Sequence, residues 1–145
     1  MKYATSGYFY RSGQYEYGKA ITKASTGIAV ADGLKQTSAQ LDVLTTGVKA
    51  QGIALEAKAV GDAATTAIKY LKALPGRMKV VGTTKTNSLA AADLLQETPL
   101  SGTTGAMGID ATPAAGDFFI QEIISTGSAG QAVLYFIDPA TLSSL

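Results

Sequence analysis

Apolar and polar residues alternate in short runs along this chain, and a period of two is the pattern of a half-buried β-strand. The runs that predict strands are 40–44 (QLDVL), 48–56, 78–82 (MKVVG), 118–124 (FFIQEII) and 132–137 (AVLYFI). Turn signals rich in glycine separate them, among them Asp32-Gly33, Pro75-Gly76 and the segment from Gly127 to Gly130. Many short strands with such turns predict a mostly β domain, a small β-sandwich or barrel.

One segment departs from the alternating pattern and predicts a short helix. Residues 89–97 (LAAADLLQE) are rich in Ala and Leu, which have high helix propensity. Asn87 or Ser88 stands where an N-cap residue belongs, and the run ends before Pro99.

A phrase occurs twice, about 55 residues apart: GIALEAKAVGD at 52–62 and GIDATPAAGD at 108–117. The glycines that open the phrases permit close backbone approach, and the Gly-Asp endings suit turns. The residues assigned to structural turns are Gly52, Gly61, Asp62, Gly108, Gly116 and Asp117.

The segments that follow the two phrases are predicted to be equivalent strands. Residues 118–124 are aromatic and β-branched, which is typical of a strand. Residues 64–71 fit helical and strand periods equally well, and the repeat decides for a strand. The sequence thus predicts a single domain over residues 18–145 with two related halves, about 18–74 and 77–137, each contributing a matching hairpin.

The first 17 residues hold five of the seven tyrosines, and aromatics alternate on both sides of Ser12-Gly13. This pattern predicts two short strands joined by a turn, or an extended interaction arm over residues 1–17. A third interpretation is that the rings cover the domain's own core. Tyrosine suits a partly wet interface because its ring is apolar and its hydroxyl makes hydrogen bonds. The candidate contact residues of the arm are Tyr3, Tyr8, Phe9, Tyr10, Tyr15 and Tyr17.

Composition excludes several kinds of chemistry. The 145 residues include no Cys, His or Trp, so His- or Cys-based metal centres and nucleophilic systems are excluded. A net charge of +1 gives no electrostatic footprint for nucleic acid, and no stretch has the length of a membrane-spanning helix. We therefore predict no catalytic, metal-binding or cofactor-binding residues and no small-molecule substrate. Only 16% of residues are charged, which indicates that part of the surface lies against a partner.

A pair of carboxylates can perform acid–base chemistry. The four candidates are Asp62, Asp117, Glu56 and Glu122. Gly-Asp in a turn is far more often structural, and no nucleophilic cluster surrounds either aspartate. The lysines near the first phrase are predicted to be solvated surface charges: Lys58, Lys69 and Lys72. The segment GTTG at 102–105 lacks the lysine of a phosphate-binding loop and predicts a turn.

Residues 45–71 (TTGVKAQGIALEAKAVGDAATTAIKYL) resemble a phrase of the capsid decoration proteins of tailed bacteriophages, also called cement or head-stabilising proteins. The similarity is best over residues 19–71, and the second phrase repeats it in a variant form. The resemblance implies a small tulip-like β domain that acts without catalysis as a homotrimer on the outside of an expanded capsid. It implies the major capsid protein as partner, reached by an N-terminal arm, and a location in the virion. The chain departs from some members in its longer second half, residues 77–145.

Two further hypotheses remain at this point. One is another virion or surface structural module, such as a tail-tube, spike or adhesin domain, whose β pattern would be similar. The other is a carboxylate-dependent enzyme, for example one that acts on glycans.

Overall fold

The computed structural model describes residues 10–13, 16–24, 26–45, 50–62, 66–72, 78–110, 116 and 118–136. The predicted mostly β fold class is confirmed, with two sheets of which one is nearly barrel-shaped. The strands are β1 (Tyr10–Gly13), β2 (Tyr17–Ile21), β3 (Gly33–Thr37), β4 (Gln40–Val43), β5 (Gly52–Ala54), β6 (Ala67–Lys72), β7 (Met78–Thr86), β8 (Glu97–Thr98), β9 (Leu100–Ser101), β10 (Gly108–Asp110), β11 (Phe118–Ser125) and β12 (Gln131–Phe136). No helix in these ranges has the length and apolar character needed to cross a bilayer.

The first sheet has five strands in the order β2-β6-β5-β3-β4. Thr22, just after β2, forms a parallel bridge with Leu41 of β4, and this bridge joins the two outer strands. The sheet therefore curls towards closure, and the bridge pairs part of the edges that an open sheet would expose. Its curled interior holds a cluster of its own: Ala20, Ile28, Leu34, Leu41, Ala54, Ile68 and Tyr70.

A close pair of residues fixes β2 against β6 inside this cluster. Gly18 lies directly opposite Tyr70, and a Cβ at Gly18 would lie 2.4 Å from the ring carbon that bears the hydroxyl. The buried ring thus occupies the space that a side chain at position 18 would need. Such packing of an aromatic ring over a strand glycine restores the contact that glycine lacks.

The second sheet has seven strands, six of them in the order β8-β11-β12-β7-β10-β9, and β1 pairs with β7. Only Pro99 separates β8 from β9, so the two ends of this order are one bent stretch of chain. The amide of Asp110 donates to the carbonyl of Pro99 at 3.1 Å, which ties the bend to β10. Proline suits this position because it cannot donate to a ladder.

The two sheets share the largest apolar cluster of the described residues. The first sheet and its loops contribute side chains opposite its own interior, including Leu44, Ile53 and Leu71. The second sheet contributes the remaining members: Val80, Leu89, Leu100, Met107, Ile109, Phe118, Ile120, Ala132 and Leu134. The shared cluster thus covers part of the outer face of the first sheet and holds the two sheets together.

The predicted helix over residues 89–97 is wrong in extent and in its cap. The structure has a three-residue 3₁₀ helix, Ala91–Asp93, whose N-cap residue is Ala90. Asn87 lies at φ +62° and donates to Asp110 Oδ1 at 2.8 Å instead of capping. Backbone pairing on both sides explains the difference: Leu89 bridges Gly127, and the amide of Leu95 donates to the carbonyl of Ile120. These long-range bonds outweigh a local helix propensity of tenths of a kcal/mol per residue.

The prediction of two matching hairpins is correct for the first phrase and wrong for the second. β5 and β6 pair antiparallel, as a hairpin requires. β10 and β11 do not pair; β10 lies between β7 and β9, while β11 pairs with β12 and β8. The apolar β12 follows β11 across a tight turn at Gly127 and takes the neighbouring place. A short chain separation favours that pairing because less loop entropy is lost.

The predicted hairpin around Ser12-Gly13 is also wrong. Both residues belong to β1, which pairs with β7 in the second sheet, whereas β2 pairs with β6 in the first. The two strands therefore separate into different sheets. The aromatic alternation correctly indicated strand, but it carried no information about which partner each strand would find.

Candidate interaction site

One turn recurs three times among the described residues. In AVAD at 29–32, AVGD at 59–62 and AAAD at 90–93, the aspartate amide donates to the carbonyl of the alanine three residues earlier. In each, the alanine amide donates back to the aspartate carboxylate, at 2.9, 3.3 and 2.8 Å respectively. We call this reciprocal pair of bonds the Asp turn. It closes four residues with two hydrogen bonds, in the manner by which Asx side chains stabilise turns.

Two of the Asp turns lie side by side at one end of the first sheet. Ile28 and Lys58, which immediately precede them, exchange both backbone hydrogen bonds across an antiparallel bridge. The second residue of each turn is a valine, and Val60 is 77% exposed. A Cβ at Gly27 would lie 2.7 Å from a methyl group of Val60, so the glycine lets the two turns approach. The paired turns therefore present apolar tips to solvent.

Asp32, the aspartate of the first Asp turn, also bonds to the second sheet. Its second carboxylate oxygen accepts from the amide of Gly105 at 2.8 Å, and the residue is 1% exposed. Next to it, the amide of Gly33 points at Met107 Sδ at 3.2 Å. Desolvation by burial raises the pKa of the Asp32 carboxyl, and the two amide hydrogen bonds oppose this in part. Asp32 is thus a polar contact between the sheets.

Lys58, predicted to be a solvated surface charge, is buried at 3% exposure. Its ammonium group donates to the carbonyl oxygens of Lys23 at 2.5 Å and Thr26 at 3.2 Å. The loop before the first Asp turn folds over the lysine and supplies these acceptors. A buried ammonium requires such acceptors because an uncompensated charge is very unfavourable in the interior. The two other lysines of that prediction, Lys69 and Lys72, are exposed and partly exposed.

An exposed basic patch covers the outer face of β2 and β6. We define the basic patch as Tyr17, Lys19, Ile21 and Lys69. Lys19 lies directly opposite Lys69 in the ladder, and the ammonium of Lys69 lies 4.6 Å from the centre of the Tyr17 ring. Glu56, at the edge of the patch, accepts a bond from the Lys69 amide at 2.9 Å. The patch therefore carries two ammonium groups, one neighbouring carboxylate and two exposed apolar side chains.

A second exposed patch, acidic and apolar, lies on the second sheet. We define the acidic patch as Leu94, Leu95, Glu97, Glu122 and Ile124. Glu97 lies opposite Phe119 of β11, and the Leu95 amide donates to the carbonyl of Ile120, so both residues lie beside the strand that carries Glu122 and Ile124.

Leu95 is unusual within the acidic patch because its backbone lies at φ +64° and its side chain is 59% exposed. A residue with a Cβ in this left-handed conformation costs about 1–2 kcal/mol, which glycine would avoid. Because the side chain is exposed, it buries little apolar surface, and little hydrophobic stabilisation offsets this cost.

The residues predicted for an interaction arm divide between the two sheets. Tyr10 belongs to β1, and Tyr17, which is 46% exposed, opens β2, so part of the predicted arm belongs to the sheets. The others lie outside the described residues: Tyr3, Tyr8, Phe9 and Tyr15.

The glycines and aspartates of the repeated phrase occupy both strands and turns. Gly52 and Gly108 are the first residues of β5 and β10 and lie in strands, not in turns. Gly61 lies in an Asp turn at φ +93°, where glycine is favoured, and Asp62 closes that turn. Gly116 approaches Pro99 so closely that a Cβ would lie 2.3 Å from its nitrogen. Asp117 lies outside the described residues.

The three described carboxylates considered for catalysis lie at different places in the fold. Asp62 closes an exposed Asp turn, Glu56 accepts from the Lys69 amide, and Glu122 lies on β11 of the other sheet. Within the described ranges, no three acidic side chains group in a way that would hold a metal ion.

The sequence held a signal for the Asp turns that the Gly-Ile phrase concealed. The endings AVAD and AAAD match AVGD in their alanine and aspartate but lack its glycine. Aligning the endings alone would have revealed four copies, because the second phrase itself ends in AAGD at 114–117. It would also have placed Asp32 and Asp93 among the structural residues.

Comparison of the chain with protein-family models, curated proteins and solved structures finds no match.

Proposed function

We propose that this chain is a structural virion protein that binds the outside of an expanded phage capsid and stabilises it by bridging neighbouring subunits. In this proposal the protein acts as a homotrimer, its partner is the major capsid protein, and its work is adhesion without catalysis.

The observation that carries the proposal is where the resemblance falls in the fold. The segment of best similarity, residues 19–71, coincides closely with β2 to β6, which form the whole first sheet. That sheet has an interior cluster of its own and is joined at its outer strands. The segment that carries the resemblance therefore forms one complete structural unit, and this supports the proposal.

The character of the described surface also supports adhesion. Large apolar side chains are exposed on both sheets, including Val60, Leu95 and Tyr17. Exposed apolar side chains of this kind are available for contact with a partner. Such contacts add up in an oligomer because later contacts form at raised effective concentration.

The direct test is to mix the purified chain with expanded and unexpanded heads of tailed phages and measure occupancy by cosedimentation. We expect saturable binding to expanded heads of the cognate phage and an increase in the temperature at which they break. Absence of saturable binding to every expanded head, with the protein located instead in tails or in self-assembled tubes, would favour the tail or spike alternative.

The arm is tested by deletion of residues 1–9, which removes Tyr3, Tyr8 and Phe9 but leaves every described strand intact. We expect at least a tenfold loss of head affinity, because strand addition contributes several main-chain hydrogen bonds. A matched variant that replaces only these three aromatics by serine separates ring contacts from main-chain contacts. Full affinity of the deletion variant would overturn the arm and leave the capsid role standing.

A further inference from the structure

The basic patch contains a charge arrangement that the isolated fold does not favour. Lys19 and Lys69 lie directly opposite on the exposed face of an antiparallel ladder. Like charges at such positions repel. Tyr17 and Ile21 flank them as exposed apolar groups. Two opposed ammonium groups between apolar side chains form a surface that an acidic and apolar partner would complement.

The acidic patch has the matching composition. Glu97 and Glu122 supply two exposed carboxylates, and Leu94, Leu95 and Ile124 supply exposed apolar area. Leu95 keeps a large side chain in solvent at a backbone angle that favours glycine. Strain of this kind concentrates where a residue makes a functional contact.

We propose that copies of this chain associate head to tail, with the basic patch of one copy docked on the acidic patch of the next. Charge complementarity favours a second copy as the occupant, because two ammonium groups would face two carboxylates, each pair among exposed apolar side chains. This inference rests on the proposed function for its role, since it assigns the surfaces through which the proposed homotrimer forms.

The two patches lie on different sheets, so the contact joins unlike surfaces. An interface between unlike surfaces is heterologous: it makes a ring when the rotation closes and an open chain when it does not. A trimer is the ring that closes after a rotation of a third of a turn. In a closed trimer on a capsid surface, each copy would make the same two contacts, one through its basic patch and one through its acidic patch.

The test measures self-association of the full chain without capsids, by sedimentation velocity over a concentration series at low and at moderate salt. Lys19→Glu with Lys69→Glu reverses the basic patch, and Glu97→Lys with Glu122→Lys reverses the acidic patch. We expect each double variant to weaken association at least tenfold and the combined quadruple variant to recover it. The control adds two negative charges outside both patches, by Thr103→Glu with Thr104→Glu, and should associate as the parent chain does.

Mixing the two double variants gives a sharper readout. Each then complements only the other, so they must alternate, and a ring of three cannot alternate. We expect the mixture to form even-numbered rings or open chains, whereas the parent and quadruple variants form trimers. Circular dichroism establishes that every variant is folded before its association is measured.

The inference is overturned if the parent chain stays monomeric, if only one double variant weakens association, or if the quadruple variant fails to recover it. Because no shell is present, the result separates from the capsid role. A chain that stays monomeric yet saturates expanded heads contradicts the self-contact alone, and one that assembles but leaves every head bare contradicts the capsid role alone.

Discussion

Three charged side chains are buried in the first sheet and its loops, whereas the described side chains of the second sheet and its loops include one. The three are Asp32, Asp42 and Lys58, and the one is Asp93. The second sheet instead supplies most of the shared apolar cluster. The first sheet has short strands and folds its loops over its own ends, so it depends on polar groups that satisfy loop backbone. The second sheet contains the two longest described strands, β7 and β11, and depends on apolar packing.

The largest effect is expected where the second sheet packs. Phe118→Ala removes a fully buried ring from the shared cluster and should lower the free energy of unfolding by about 3–5 kcal/mol. Urea denaturation measures the loss. Its neighbour Phe119 points to the opposite face and is only partly buried, so Phe119→Ala is the matched control and should cost clearly less. Equal losses would show that the shared cluster does not dominate stability.

In the first sheet, the dependence on a buried charge is tested by Lys58→Met. Methionine preserves the length of the side chain but leaves the carbonyls of Lys23 and Thr26 without their donor. We expect a loss of about 1–3 kcal/mol in the free energy of unfolding. The exposed Lys69 is the control, and Lys69→Met should change stability by about 0.5 kcal/mol or less. A neutral Lys58→Met would mean that water serves those carbonyls equally well.

The free energy of unfolding is expected to depend on pH through Asp32, in the direction that its raised pKa sets. Burial raises the pKa of the Asp32 carboxyl in the folded state. The folded chain therefore binds the proton of this carboxyl more tightly than the unfolded chain does. Its contribution is therefore fully present below the unfolded pKa of about 3.9 and is lost as pH rises through the folded pKa. The stability of the parent chain relative to Asp32→Asn should fall as pH rises through that window, as urea denaturation at a series of pH values would measure. A difference that is constant with pH would contradict the burial of an ionisable group at this contact.

The smallest effect concerns the basic patch. Lys19→Glu replaces a repulsive cross-strand pair with an attractive one and should stabilise the isolated chain by about 0.2–1 kcal/mol. Thermal unfolding at concentrations below self-association measures this gain. Lys19→Gln, which removes repulsion without adding attraction, should fall between the two. A loss of stability in Lys19→Glu would mean that Lys19 serves the fold itself and would weaken the case for its role in docking.

The fold class and most strand positions followed from the sequence because alternation reports burial directly. Residues 40–44 and 118–124 were predicted as strands and contain β4 and most of β11. Strand pairing could not be predicted in the same way, because a period of two does not reveal which strand lies alongside another. The second phrase failed as a hairpin for this reason.

Which polar side chains are buried could not be predicted from the sequence either. Lys58 has the sequence surroundings of a surface lysine, and only the loop that folds over it makes it internal. Asp32 similarly becomes internal through Gly105, which is distant along the chain. Neither environment is local, so no window around either residue contains the information. The basic patch could have been found in part, since Tyr17, Lys19 and Ile21 alternate along one strand.

β1 pairs with β7, although the whole first sheet lies between them along the chain. During synthesis β1 is therefore made before β7, its pairing partner, and stays unpaired while β2 to β6 emerge and assemble. The first sheet is expected to be complete before the strand that precedes it is docked, and a waiting strand is free to meet the β7 edge of another copy. Exchange of β1 between nascent neighbours is thus a built-in hazard of this topology, one that dilution during refolding would suppress.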